Sequence, residues 1–431
     1  MAHDLPARVV QDPSRGYTRL PRNVIRRPDL VVGFDGRRAD EPMRAWMYGP
    51  AVPSLSGSEH TVTLRARPGE VRAVAARLRQ VWKDEFVALR PVDADGLPRG
   101  APFPYASRVD LTGEDGAELR AAVDRLARYG AQLLFDVLLG GEDEALKLFR
   151  GFLADALGHE EPLRVRFHSD LFLPWPMLCL PATASGEPES PSLAGVFGRF
   201  LGYRHQIEQT GGDAYARVAD DRDPPPRAAP AVSLNHDTAV DAAGLTRAAD
   251  VAAALAAGGD LVERTTRGEL ERALGDRLLD EQLMYFWCHG HFTAPGDEAP
   301  YLVLKLTDQL AIDGYTLRAH RPPPHACVPF RPFVLLNACY AGLPGNADLA
   351  YLGRALFDAG ACGVLGPQIE MPQRFAAEYA LAFVTRYLTG EETAGAIAHA
   401  LTRYFADTWH NPLGLAYALH SGMDSRLERT A

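Results

Sequence analysis

Residues 282–290 read QLMYFWCHG, and residues 331–339 read RPFVLLNAC. Each is an apolar run of strand length that ends in a residue able to do chemistry, His289 in the first and Cys339 in the second. A continuous apolar run marks a strand buried on both faces, as in a parallel sheet covered by helices. The surrounding sequence supplies such helices. AVSLNH, DLVERT and ACGVLGP read as further strands. LTRAADVAAALAAG, RGELERALGDRLL, ADLAYLGRALFDAG, QRFAAEYALAFVTRYL and ETAGAIAHALTRYF read as helices, before a closing LGLAYALHSG. This alternation predicts an α/β fold, with a mostly parallel central sheet and helices on both faces.

Working outward toward the N-terminus, RDPPPR at 222–227 is the clearest break, because consecutive prolines lack amide hydrogens and favour a stiff extended segment. Before it lies an α+β half. HTVTLRA alternates like a strand, PGEVRAVAARLRQVW reads as a helix, and EFVALRPV reads as a second strand. GAELRAAVDRLARYGAQLLFDVL carries Leu119, Val123, Leu126, Leu133, Leu134 and Val137 at helical spacing, and DEALKLFRGFLADAL follows as another helix. PLRVRFHSDLFLPWPMLCL reads as two short strands about a proline-bounded turn. Residues 1–57, rich in Arg, Pro and Gly, read as an extended leader. The expected division is a leader at 1–57, a supporting or regulatory α+β half at 58–228, and an α/β domain at 229–431.

The bulk numbers exclude several classes. A net charge of −10 over 431 residues, with no Lys/Arg block, argues against nucleic-acid binding. The five cysteines (Cys179, Cys288, Cys327, Cys339 and Cys362) form no CxxC pair and no disulfide framework, which implies a reducing cytoplasm. No secretory signal and no run of about 20 apolar residues is present, so no membrane association is expected. The abundance of Ala, Arg, Gly and Asp points to a GC-rich bacterial source.

In a parallel α/β sheet the carboxyl ends of the strands face the functional crevice. If the strands ending in His289 and Cys339 are neighbours, an imidazole stands beside a thiol, the pairing that nucleophilic catalysis needs. Gly290 allows close backbone approach to substrate. The amides of Gly290 and Cys339 could meet a developing oxyanion. Blander readings compete. Cys288 points to the opposite strand face from His289 and, with Cys179, Cys327 and Cys362, reads as a small core residue. His291 is a rival base. Pro174 and Trp175 read as core, His320, His325 and His399 lack metal-ligand spacing, and GEDE at 141–144 reads as a solvated helix start.

MYFWCHGHF and PFVLLNACYAG resemble the two signature strands of the CHAT domain, a branch of the caspase-like cysteine peptidases, whose caspase members also carry a His about 50 residues upstream of the Cys. YLVLK and LRAH resemble its interstrand hairpin region, and DLAYLGRALFDAGACGVLGP its helix and strand after the nucleophile. DLFLPWPMLCL resembles its Pro-Trp-Glu-Leu-Leu element, with Pro176 in place of the acid. The likeness covers roughly residues 115–431. It departs at Tyr340-Ala341-Gly342, where small residues are usual, and at Ile369-Glu370-Met371-Pro372, where Trp-x-Val-x-Asp is usual. The resemblance implies a caspase-like catalytic domain at 229–431 with a His289/Cys339 dyad and no cofactor. It further implies a dedicated protein substrate, gasdermin-like or another defence effector, in bacterial defence or regulated cell death, with an activating protein partner. Asn337, where metacaspases carry an acid, and Asp237 are the candidate substrate-binding residues. Two other readings remain open: a catalytically idle caspase-like scaffold, and a Cys-His amidohydrolase, whose His usually follows its Cys.

Overall fold

The computed structural model describes residues 26–36, 41–52, 60–93, 95–114, 116–169, 171, 173–182, 192–211, 226–293, 301–321, 328–342 and 352–429. Its first three strands, β1 (Leu30–Asp35), β2 (Arg44–Tyr48) and β3 (His60–Thr63), pair antiparallel as a meander. Two of them fall in the segment expected to be an extended leader, and that expectation is corrected from Leu30 onward. LVVGFD is buried along all but its last residue, a short apolar run masked in the sequence by the Arg and Pro around it.

Helix α1 (Pro68–Trp82) opens with proline in its first turn, and the Arg67 amide donates back to Glu70. The strand expected at EFVALRPV does not form. Lys83–Val87 continues the helix as a wider π-type turn that keeps Phe86 and Val87 buried. α2 (Gly116–Ala131) passes into a similar turn at Gln132–Leu138, and α3 (Glu144–Leu157) is capped by Asp143, which accepts from the Ala145 and Leu146 amides. β4 (Arg164–Ser169) follows. In place of the second strand expected in PLRVRFHSDLFLPWPMLCL there is a single 3-10 turn at Trp175–Met177 and a lone bridge from Cys179 to Phe200. α4 (Leu193–Phe197), α5 (Leu201–Arg204) and β5 (Gln206–Thr210) complete this half. Most of the proline break, residues 222–225, lies outside the described residues, as does Cys327.

The second half alternates as the sequence predicts: β6 (Ala231–His236), α6 (Ala248–Gly258), β7 (Asp260–Arg264), α7 (Arg267–Gly275) and β8 (Leu283–Trp287). A side hairpin of β9 (His289–Thr293), β10 (Tyr301–Lys305) and β11 (Ala311–Ile312) forms a separate three-stranded sheet. Then come α8 (Gly314–His320), β12 (Phe333–Asn337), α9 (Leu352–Ala359), β13 (Gly363–Pro367), α10 (Gln373–Tyr387), α11 (Ala394–Trp409) and β14 (Tyr417–His420).

Eleven strands make one sheet in the order β3-β2-β1-β4-β5-β14-β13-β12-β8-β6-β7. β1, β4, β5 and β14 are mutually parallel, and so are β13, β12, β8, β6 and β7. The two sets meet antiparallel where β13 pairs with β14, Leu365 opposite Leu419. The expected boundary near residue 228 therefore falls inside a continuous sheet, because β14 from the second half sits between β13 and β5. Behind the N-terminal strands, the buried Trp175 indole stacks on Phe167 at 3.8 Å and on Phe34 at 5.4 Å. Trp175→Ala is expected to cost about 3–5 kcal/mol, read as a lower urea midpoint at unchanged slope.

Candidate active site

β8 and β12 are adjacent and parallel, with Asn337 directly opposite Trp287. Two residues beyond that pair stand His289 on one chain and Cys339 on the other. Local sequence explains why both chains leave the sheet there: the apolar runs end, and on the Cys339 side Ala338, Cys339 and Tyr340 enter a tight turn. The backbones then touch. A Cβ built on Gly290 would fall 2.3 Å from the Cys339 carbonyl oxygen and 3.3 Å from the Ala338 Cβ. Gly290 thus allows the His-bearing strand to lie against the Cys339 turn itself, a role other than the substrate approach expected for it.

The Cys339 turn is held in a demanding conformation. Tyr340 has φ of 61°, a left-handed geometry that costs a non-glycine residue about 1–2 kcal/mol. The neighbouring segment holds it there: the Tyr340 amide donates to Ile369 at 3.2 Å and the Gly342 amide to Pro367 at 2.8 Å. His420 on β14 hydrogen-bonds the Gly342 carbonyl through Nε2 at 2.8 Å. The Tyr340 ring leans on Phe292 of β9, with centroids 5.4 Å apart, so the aromatic face beside the turn comes from both site strands.

The Cys339 thiol faces the Met371 carbonyl at 4.0 Å. Burial pushes it above the ordinary thiol range; backbone hydrogen bonding at Met371 pulls down, and Glu370 adds to the rise. His289 begins β9 and is exposed, in register with Lys305 across the hairpin. His291, two residues on, pairs with Val303 and is held below the usual imidazole range by burial, then by Lys305 and His289.

The other predicted residues have internal duties. Asn337 is 4% exposed, and its amide is fully engaged. It donates to the Ala376 carbonyl at 2.7 Å and to the Tyr285 hydroxyl at 3.3 Å, and accepts from the Tyr417 hydroxyl at 2.7 Å. It fastens β12 to β8, β14 and α10 and presents nothing to a substrate. Asp237, 1% exposed, accepts from the Gln309 side chain at 2.8 Å and the Ala239 amide at 2.9 Å. Cys288 lies in the core with Leu302, Leu304 and Leu336, and burial first, then Asp237, raises its thiol. Sequence reasoning missed Lys83, which reaches this turn from the π-type turn after α1. It also passed over Glu370 as a mere departure from the family pattern. Among the described residues no cluster of His, Cys, Asp and Glu could hold a metal ion, and no helix is long and apolar enough to cross a membrane.

Residues 172–414 match the CHAT domain family, more than half of the chain. The chain belongs to this family of caspase-like peptidases. A 156-residue stretch is 31% identical to a probable protease of Vitiosangium sp., covering 34% of this chain and 19% of that relative. The chain thus spans about a fifth of the length of the curated relative it matches. Among solved structures it is similar to the Saccharomyces cerevisiae separase–securin complex, at 10% identity and a TM-score of 0.42 over 91% of this chain and 30% of that chain. It is also similar to a structure described simply as a protease, at 9% identity and a TM-score of 0.41 over 74% and 70% of the two chains. The CHAT match runs from the 3-10 turn around Trp175 past α11, so it takes in β5 of the N-terminal half as well as the strands that end at His289 and Cys339.

Two outcomes follow from this geometry. Gly290→Ala is expected to destabilise the fold by about 1–3 kcal/mol, since the new methyl meets a backbone carbonyl. Urea unfolding checks this, and an unchanged midpoint would mean that the strand backs away freely. For the wild-type chain, iodoacetamide should modify Cys339 slowly at pH 7. Because the raised group is protonated below its pKa, the rate should climb with pH through a midpoint above about 8.5, the ordinary free-thiol value. A midpoint well below that value would contradict the buried, protonated thiol.

Proposed function

We propose that the chain is a cysteine endopeptidase, with Cys339 as nucleophile and His289 as its base. The observation that carries the reading is the close approach of the Gly290 backbone to the Cys339 carbonyl, just past the ends of two neighbouring parallel strands. The imidazole of His289 accepts the thiol proton as the sulfur attacks the scissile carbonyl carbon. The amides of Gly290 and Cys339 receive the oxyanion. His289 then gives its proton to the departing amine, leaving a thioacyl chain that water hydrolyses. No cofactor takes part in these steps. A dedicated protein substrate, such as a gasdermin-like or other defence effector, is supported by the family resemblance, as are an activating partner and a cytoplasmic setting in bacterial defence or regulated cell death.

The alternative is a catalytically idle scaffold, favoured by one observation: the thiol is buried, raised and turned toward Met371. A peptide-library cleavage profile on wild type, Cys339→Ala and His289→Ala decides between them. Cys339→Ala should abolish cleavage and labelling by an electrophilic peptide probe, and His289→Ala should slow cleavage by about 10²–10⁴-fold. Cleavage that is absent from wild type, or equal in all three proteins, would leave the scaffold reading standing.

A further inference from the structure

One ion pair joins the N-terminal half to the nucleophile turn. Lys83, where the π-type turn after α1 begins, places Nζ 2.6 Å from the Glu370 carboxylate. Glu370 itself stands between two residues that hold the site. Ile369 accepts the Tyr340 amide, and the Met371 carbonyl faces the Cys339 thiol. π-Type turns recur at functional positions. Building on the assignment of Cys339 as nucleophile, we propose that Lys83 is a positioning residue: paired with Glu370, it holds the Ile369–Met371 segment against the Cys339 turn and offsets the carboxylate beside it.

The charges around the thiol fit this role. Glu370 raises Cys339 and Lys83 lowers it. Tyr340, next in the turn, senses Lys83, Glu370 and Asp84 as well. Cys288 at the end of β8 and Tyr417 on β14 also couple to Cys339, and His289 heads the neighbouring strand. Among these groups Lys83 is the fixed cation. Its side chain is 32% exposed and that of Glu370 48%, so the pair contributes little to folding. Its effect falls on the thiol.

The test uses the full chain and the rate of Cys339 alkylation by iodoacetamide against pH, followed by mass spectrometry of the Cys339 peptide. Lys83→Met keeps the aliphatic stem and should move the midpoint up, slowing alkylation at pH 7 by about three- to tenfold, where tenfold corresponds to one pKa unit. Glu370→Gln should move it down, speeding alkylation by a similar factor, and the double variant should fall between the singles. Opposite shifts cannot come from a common loss of folding. Coincident midpoints, or both singles shifting the same way, overturn the proposal. If the shifts appear but Cys339→Ala still cleaves protein, the coupling stands and the nucleophile assignment fails.

Discussion

Neighbouring strands of a sheet lie about 4.8 Å apart, so two side chains at the same level on adjacent strands are held within reach by the sheet itself. That constraint governs this molecule. β8 and β12 are direct neighbours in a common register, and each ends two residues before a reactive residue, His289 on one and Cys339 on the other. The remaining peculiarities serve the same closeness. Gly290 lacks the side chain that would strike the Cys339 carbonyl, Tyr340 takes a left-handed turn, and Asn337 locks the strand just before the nucleophile to three other elements. Because the site rests on a central pair of buried strands, its precision is inherited from the core.

The sheet also binds together two halves that look separable in the sequence. β14 belongs to the second half by chain order, yet it pairs parallel to β5 of the first and antiparallel to β13. Around that seam, Glu208 of β5 accepts from the Met423 amide at 3.0 Å and pairs with Arg166 of β4 at 2.7 Å, while Arg164 pairs with Asp424. Removing the N-terminal strands would bare the ladder groups of β14 and leave the Met423 amide and the Asp424 carboxylate without Glu208 and Arg164. A cut at the proline break would therefore expose core and a sheet edge instead of freeing a domain.

What the sequence made legible follows from the range of each signal. β6, β7, β8, β12 and β13 and helices α6, α7 and α9 to α11 announce themselves by local apolar pattern, and two of those strands run into His289 and Cys339. β1 and β2 were hidden because a five- or six-residue strand between arginines and prolines has no room for a pattern. The segment after α1 was misread because EFVALRPV suits a strand by composition, while continuity with a buried helical face decided otherwise. Asn337 and Asp237 were rightly placed near the strand ends. No sequence pattern, however, says that a buried amide will be consumed by Tyr285, Ala376 and Tyr417, or a carboxylate by Gln309. The Lys83–Glu370 pair joins residues from distant parts of the chain and leaves no local trace.

The protonation of Cys339 ties these threads together. Burial that fixes the nucleophile in place also disfavours its thiolate, so the packing that gives the site its geometry works against its reactivity. In the proposed mechanism a base that takes the proton during attack would resolve this without a thiolate at rest, and a resting thiol is spared adventitious oxidation. The reactivity that remains depends on nearby charge, where one carboxylate and one ammonium oppose each other beside the turn. The ammonium comes from the N-terminal half and the carboxylate from the segment that holds the Cys339 turn. The continuous sheet fixes that arrangement at its centre, while the partly exposed ion pair is the point at which it can yield.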